Sequence, residues 1–327
     1  MQALESELPN IAGDVLERVR AKRPRVHCIT NAVAQNYTPN VLLAAGAIPS
    51  MTIAPKEVTA FAQRADALLV NLGTFDAERQ KASLAAIAAV TKAKKPWVLD
   101  PVFIDRSAPR AALAKKLMAK SPTALRLNQA EFETLAGGKF SERSIQHYAA
   151  KHRSVIGMTG EADHVRDARR SAVVGNGHPL MAKVTAMGCA GSAYLAACLA
   201  VEKDPWLATA AALIIFGVAG EIAAARAAGL DMQWWPEAFD DIEELAALIA
   251  VLDRVVSVDN TVVHLAGALG KSCSAILSRV PDWRYRWEGD DMPWYPSVRL
   301  FRQARVHDWQ GVMSAVTAAL GAVGRER

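Results

Sequence analysis

A chain of 327 residues with 51% hydrophobic content is long enough for one large domain or two smaller ones, each with a sizeable core. The net charge of +5 is spread among interspersed acidic and basic residues, and no arginine-rich tract alternates with aromatics, so a nucleic-acid partner is not expected. Cys28, Cys189, Cys198 and Cys273 lie far apart without CxxC spacing, and the N-terminal MQALESELPNIAGDVLERVR lacks the apolar centre of a signal peptide, so reduced thiols and a cytoplasmic setting are expected.

RVHCIT (25–30) reads as a strand, and residues 40–46 as a short helix ended by Gly46. ADALLVNLG (65–73) is a continuous apolar strand, 76–93 an alanine-rich helix, and PWVLDPV (96–102) a third strand. A helix over 109–120, a strand TALRLN (123–128), a helix over 129–136 and a strand SVIGMTG (154–160) continue the alternation. Apolar strands separated by amphipathic helices predict an α/β fold with a largely parallel sheet. Ligands of such sheets sit beyond the carboxyl ends of the strands. Polar residues collect at those ends: Thr30-Asn31, Asn71, Asp100, Asn128 and Thr159-Gly160-Glu161. The most apolar run, WLATAAALIIFGVAG (206–220), is shorter than the roughly 20 residues of a membrane span, so a buried helix and no membrane partner are expected.

The texture changes near residue 230, where the alanine-rich pattern ends and six of the eight tryptophans begin to appear. A boundary is expected at Gly229–Pro236, dividing the chain into domains over 1–229 and 236–327. The second part reads as helix (DIEELAALIAVL), strand (RVVSVDN), helix (TVVHLAGALG), strand (CSAIL), a tryptophan-rich loop, strand (VRLFRQ) and a final helix, a partial Rossmann-like β-α-β segment.

KVTAMGCAGSAYLAACLA (183–200) places small, turn-compatible residues before about three turns of good helix former. The first amides of a helix lack internal partners and carry the positive end of its dipole, so a phosphate is a natural occupant. Gly188 would let the backbone approach that anion, and the same field would favour a thiolate at Cys189. The other reading is a tight turn into a buried helix, with Cys189 a small hydrophobe. Spacing leaves both open.

VHCITNAVAQNYTPNVLLAAGAIPSM, LVNLGT, VLDPV, RLNQAEF, MTGEAD and VTAMGC follow one another in an order and spacing that resemble the hydroxyethylthiazole kinases, over roughly residues 10–228. The resemblance implies a ribokinase-like α/β fold of a largely parallel sheet flanked by helices. It also implies transfer of the ATP γ-phosphoryl group, with Mg2+, to the alcohol of 5-(2-hydroxyethyl)-4-methylthiazole in thiamine salvage. By matching position, it implies that Cys189 and Gly188 act at the reacting groups and that Arg126, Thr159 and Asn128 serve the nucleotide. Met51, Ala186 and Asn31 fall on the thiazole side, and Glu131 and Asp100 on the metal side, with hydrated magnesium held by hard oxygens. Members of that family are trimers with sites between subunits, so a homotrimer is implied.

The family often has glycine where this chain has Ala186 and Leu127. Alanine is tolerable at 186 if φ is negative there, and Leu127 would narrow the nucleotide side. The family's closing glycine-proline-glycine turn and helix after AAARAAG are absent. In their place SVDNTVVHLAGALGKSCSAIL, PDWRYRW and DDMPWYPSVRLFRQ, about 235–310, resemble the end of the donor lobe of tetratricopeptide-associated glycosyltransferases. There Asp259-Asn260-Thr261, with His264 behind, would face a donor diphosphate. Three functions follow: a small-alcohol kinase; a nucleotide-sugar-binding or glycosyltransferase-related protein; a non-catalytic kinase relic. Coverage of the motifs favours the first.

Overall fold

The computed structural model describes residues 2–230, 233, 235, 238, 241–306 and 308–323. The chain divides into two compact units, Met1–Met232 and Gln233–Arg327. Much of the stretch expected to hold the boundary, including Trp234 and Pro236, lies outside the described residues.

In the first unit β1 (Arg25–Ile29), β2 (Ile48–Ser50), β3 (Ala67–Asn71), β4 (Trp97–Asp100), β5 (Ala124–Asn128), β6 (Val155–Thr159), β7 (Asp163–Arg166) and β8 (Ser171–Val174) form one sheet. Their order is β2-β1-β3-β4-β5-β6-β7-β8. The strands from β2 across to β6 pair in parallel, and β6, β7 and β8 pair antiparallel. β3 and β4 are buried at every position, as a parallel strand covered on both faces must be. Side chains alternate between faces, so Leu69 and Val98 join one core while Leu68, Val70 and Leu99 join the other.

The helices are α1 (Gln2–Lys22), α2 (Tyr37–Ala44), α3 (Val58–Arg64), α4 (Ala77–Lys92), α5 (Ala108–Met118), α6 (Gln129–Ala136), α7 (Glu142–His152), α8 (Met187–Val201) and α9 (Pro205–Ala227). α1, α8 and α9 cover the first face, with Val15, Val19, Leu195 and Leu213 in its core. α4, α5 and α6 supply Ile87, Leu117 and Phe132 to the other.

One expectation needs correction. The apolar run at 206–220 belongs to a helix of 23 residues, long and apolar enough by length and composition to cross a membrane. It grows past Gly220 because Glu221–Ala227 is rich in alanine, a strong helix former. In the structure α9 packs on α1, α8 and β6–β8, burying Trp206, Ala208–Leu213 and Gly217.

The register aligns the carboxyl ends of the strands, with Asn71 opposite Asp100 and Asn128 opposite Thr159. Every polar group predicted from those ends is therefore delivered to one edge of the sheet.

The second unit contains α10 (Ile242–Val251), β9 (Val255–Val258), α11 (Thr261–Ala268), β10 (Cys273–Leu277), β11 (Val298–Arg302) and α12 (Trp309–Val323). Its three strands are parallel in the order β11-β10-β9. One face packs Val255, Val263, Ala275, Leu277 and Leu300 with Tyr285, and the other packs Ile276 and Phe301 with Val312 and Val316.

Candidate active site

A cleft of about 840 Å³ opens beyond the carboxyl ends of β1 and β3–β6. It brings together Asn31, Asp100, Arg126, Asn128, Glu131, Thr159, Ala186, Gly188 and Cys189, nine of the ten residues singled out from sequence. Met51 is the exception. It follows β2, an edge strand of the sheet, and its half-buried side chain packs against the core on the face covered by α1, α8 and α9 rather than lining the cleft.

The floor is a line of buried polar groups. Asn31 Nδ2 donates to Asn71 Oδ1 at 3.0 Å and to Cys189 Sγ at 3.0 Å. Asn71 Nδ2 donates to Asp100 Oδ2 at 2.7 Å, and Ser192 Oγ donates to the same oxygen at 2.8 Å. Asn31 Oδ1 accepts Ala34 N–H at 2.9 Å, which caps the short 3-10 turn Ala32–Ala34. Burial raises the pKa of Asp100, opposed by the charge of Arg126 and the hydrogen bonds from Ser192 and Asn71.

Cys189 differs from expectation. Burial pushes its thiol up to about 11 and the neighbouring Asp100 carboxylate pushes the same way, against the weaker pull of Asn31, Asn71 and Arg126. The thiolate expected from the helix dipole is therefore not the resting form. Desolvation and a nearby like charge outweigh a dipole of about half an elementary charge.

Arg126 emerges from β5 under the start of α8. Its Nη1 donates to Gly188 O at 2.9 Å, and its Nε is buried without a hydrogen-bond partner among the described residues. Its charge acts on both Asp100 and Asp163. Ser192, one turn after Gly188, also reaches Gly188 O, at 3.2 Å.

Asn128 and Glu131 form a capping box at the start of α6, each side chain accepting the other's backbone N–H at 2.9 Å. Glu131 Oε1 also accepts Phe103 N–H at 2.9 Å, so both carboxylate oxygens already hold an amide. Burial raises the pKa of Glu131. Phe103 itself sits at φ +59 with its side chain exposed at the cleft mouth, a conformation uncommon for a bulky residue. Thr159 lies on the cleft with a long 3.5 Å contact from Oγ1 to Leu127 O.

Ala186, the N-cap of α8, has φ +68 and gives no side-chain cap. The negative φ that would suit alanine there is not what the chain adopts. The left-handed turn is set by the Val184–Met187 backbone hydrogen bond and the entry of α8 against Arg126.

The wall opposite the floor is Asn176–Val184, including the 3-10 turn Pro179–Lys183. It seats on α9 at two glycines. A Cβ on Gly217 would stand 2.7 Å from Asn176 Cβ, and one on Gly220 would collide with the Met181 side chain. Gly177 N–H donates to Glu221 at 2.8 Å.

Sequence reasoning did not single out Ser192, Asp163, Phe103 or this wall as site components. Ser192 carried a signal, standing three residues after Cys189 on the same helical face. Asn128-Gln-Ala-Glu131 is likewise a readable capping-box signature.

The profile of the hydroxyethylthiazole kinase family matches residues 16–248. A probable hydroxyethylthiazole kinase of Agrobacterium fabrum is 45% identical over 218 residues, spanning 67% of this chain and 83% of its own. The hydroxyethylthiazole kinase of Granulibacter bethesdensis is 40% identical over 228 residues, spanning 66% and 83%. The solved hydroxyethylthiazole kinase protein of Pyrococcus horikoshii superposes with a TM-score of 0.64 at 34% identity, covering 67% of this chain and 87% of that one. A ribokinase-like superfamily protein of Enterococcus faecalis, at 18% identity and a TM-score of 0.52 over 64% of this chain and 86% of that one, shares the fold. The chain belongs to the hydroxyethylthiazole kinase family.

Proposed function

We propose that the first unit transfers the γ-phosphoryl group of ATP to the primary alcohol of 5-(2-hydroxyethyl)-4-methylthiazole, a thiamine-salvage reaction. The observation that carries this reading is the single cleft that gathers Asn31, Asp100, Arg126, Glu131, Gly188 and Cys189 in a chain of this family.

The acceptor hydroxyl lies between Asn31 and Cys189, and the triphosphate runs from the start of α8 along Arg126 toward Thr159. Phosphoryl transfer passes through a loose transition state, so catalysis rests on positioning and on charge stabilisation. The first amides of α8, around Gly188 and Cys189, hold the phosphoryl oxygens, and the Arg126 guanidinium, bound to Gly188 O through Nη1, adds its charge beside them. The hydroxyl oxygen forms the new bond to phosphorus as the bond to ADP breaks, and its proton departs late, to an oxygen of the transferred phosphoryl group and from there to solvent. With a thiol raised to about 11, Cys189 serves as a contact for the hydroxyl rather than as a strong base.

Asp100, Glu131 and the Asn128 amide form a hard-oxygen set that fits hydrated magnesium. Each Glu131 oxygen already accepts a backbone N–H, which suits it to hold a metal-bound water rather than the ion itself. A magnesium ion held there would neutralise phosphate charge as it develops.

In this reading the protein works as a homotrimer in the cytoplasm, and Met51, off the cleft of its own chain, serves the thiazole only across a subunit contact. Residues 236–327 are a partial glycosyltransferase-like donor lobe without transferase activity. Support for that is the three-stranded parallel sheet with Asn260 capping α11 at the end of β9 and His264 Nε2 3.4 Å from Tyr285 Oη.

The test is mass spectrometry of reactions containing ATP, magnesium and the thiazole alcohol. Stoichiometric phosphorylated thiazole and ADP are expected. Folded protein that yields none at millimolar substrate refutes the kinase reading, and transfer from a nucleotide sugar refutes the reading of the second unit.

A further inference from the structure

We propose that Asn71 is a positioning residue for the acceptor alcohol, acting through Asn31 and Cys189; this rests on the kinase reading above. Asn71 is 2% exposed and does not line the cleft, so it touches neither substrate. Its influence lies in the direction of its amide.

A backbone amide that cannot exchange roles fixes that direction. Gly73 N–H can only donate, and it donates to Asn71 Oδ1 at 2.9 Å. With its oxygen so taken, Asn71 turns its Nδ2 to Asp100 Oδ2, 2.7 Å away. The Asn71 carbonyl must then face Asn31, whose Nδ2 donates to it at 3.0 Å.

Asn31 is constrained in turn. Its Oδ1 is taken by Ala34 N–H at 2.9 Å, so its amide cannot flip. One proton of its Nδ2 goes to Asn71, and the other is left pointing at Cys189 Sγ, 3.0 Å away. The sulfur accepts from Asn31, and its own S–H is free to meet an oxygen in the cleft. Asn31 thus donates in two directions, through Asn71 toward Asp100 on one side and to Cys189 on the other, where an acceptor hydroxyl would sit. Without Asn71, Asn31 Nδ2 loses its buried acceptor and the amide is held at one end only. The donor aimed at Cys189 and the hydroxyl is then no longer fixed.

A merely structural Asn71 would affect all ligands alike, whereas a positioning Asn71 separates the alcohol from an analogue that lacks the hydroxyl. The experiment is calorimetric titration of the full chain with the thiazole alcohol, with 5-ethyl-4-methylthiazole lacking the hydroxyl, and with ATP–magnesium, for wild type and Asn71→Leu. Wild type should prefer the alcohol over its deoxy analogue. Asn71→Leu should lose about five- to tenfold of that preference, the weight of one net hydrogen bond, with the affinity for the deoxy analogue unchanged and kcat reduced; the titration with ATP–magnesium separately reads any loss through Asp100, to which Asn71 also donates. If melting shows Asn71→Leu to be unfolded, Asn71→Ser decides, since its hydroxyl falls one bond short of both Asn31 and Asp100 and so removes the amide without the bulk of leucine. A preference that survives substitution, or equal weakening of all three ligands, overturns the inference while leaving the kinase reading intact. Wild type without any preference for the alcohol, and without product, overturns both.

Discussion

Asn31 and Asp100 in the floor of the cleft, and Asn71 between them behind its lining, are 7%, 4% and 2% exposed, each fastened by at least two hydrogen bonds. The wall opposite has no buried residue in the turn Pro179–Lys183 and is held by two close approaches to α9 and a bond from Gly177 to Glu221. The floor is formed by strand ends, whose spacing is set by the sheet and cannot drift. The wall is a connection, free to differ so long as it seats on α9. Chemistry that tolerates little displacement therefore belongs to the floor, and accommodation of the nucleotide to the wall.

The sharpest way to break this contrast is Asp100→Ala. It removes the charge at one end of the floor and leaves Asn71 and Ser192 without their acceptor. We expect kcat to fall on the order of 10²–10³-fold with a smaller change in KM for ATP, by steady-state kinetics. A loss confined to KM would assign Asp100 to binding alone.

Arg126→Ala tests the boundary between floor and wall. Loss of a charged donor typically costs about 1.5–3 kcal/mol, so the Kd for ATP should rise roughly 10- to 100-fold while the thiazole Kd stays nearly unchanged. Equal losses for both ligands would mark a general loss of structure.

Cys189→Ala should be milder, about tenfold in kcat, because a protonated thiol supplies one hydrogen bond rather than a base. The same reasoning fixes a pH dependence. The reactive thiolate is the minor form at neutral pH, so alkylation of Cys189 by iodoacetamide should still be accelerating above pH 9. A plateau below pH 8 would contradict the burial argument, and a hundredfold loss in kcat would restore the base.

Ala186→Gly carries the smallest effect and has the opposite sign. Glycine relieves the left-handed strain at φ +68 but adds freedom to the unfolded chain, leaving a net gain of about 0.5–1 kcal/mol. The first unit should melt roughly 1–4 °C higher by calorimetry. An unchanged or lower melting temperature would mean that the methyl group contributes packing that offsets the strain.

Sheet strands buried on both faces announce themselves as apolar runs, which is why β1 and β3–β6 were legible along with the polar residues at their ends. β2 is three residues containing a proline, β7 is mostly half-buried, and β8 alternates buried with half-buried or exposed positions, so none of them carries that signal. Gathering the site residues into one cleft could be anticipated because parallel strands share a carboxyl edge. What could not be read was the local balance at each position. The field at a helix start is visible in KVTAMGC, but the desolvation that overrides it at Cys189 depends on packing by distant segments. The sign of φ at Ala186 likewise follows from the turn into α8, not from the residue type.

The two amides held by Glu131 make it a poor choice for the substitution most often used to erase a carboxylate. A glutamine there keeps one carbonyl oxygen but presents an NH2 group to either Asn128 N–H or Phe103 N–H, donor against donor. The capping box of α6 or the tight turn at Phe103 must then open. An inactive Glu131→Gln enzyme would therefore report on two joints of the scaffold as much as on magnesium. Inheritance faces the same entanglement: a lineage that abandoned catalysis would still have a folding reason to keep this glutamate, and its presence in a relative is no proof that the relative is active.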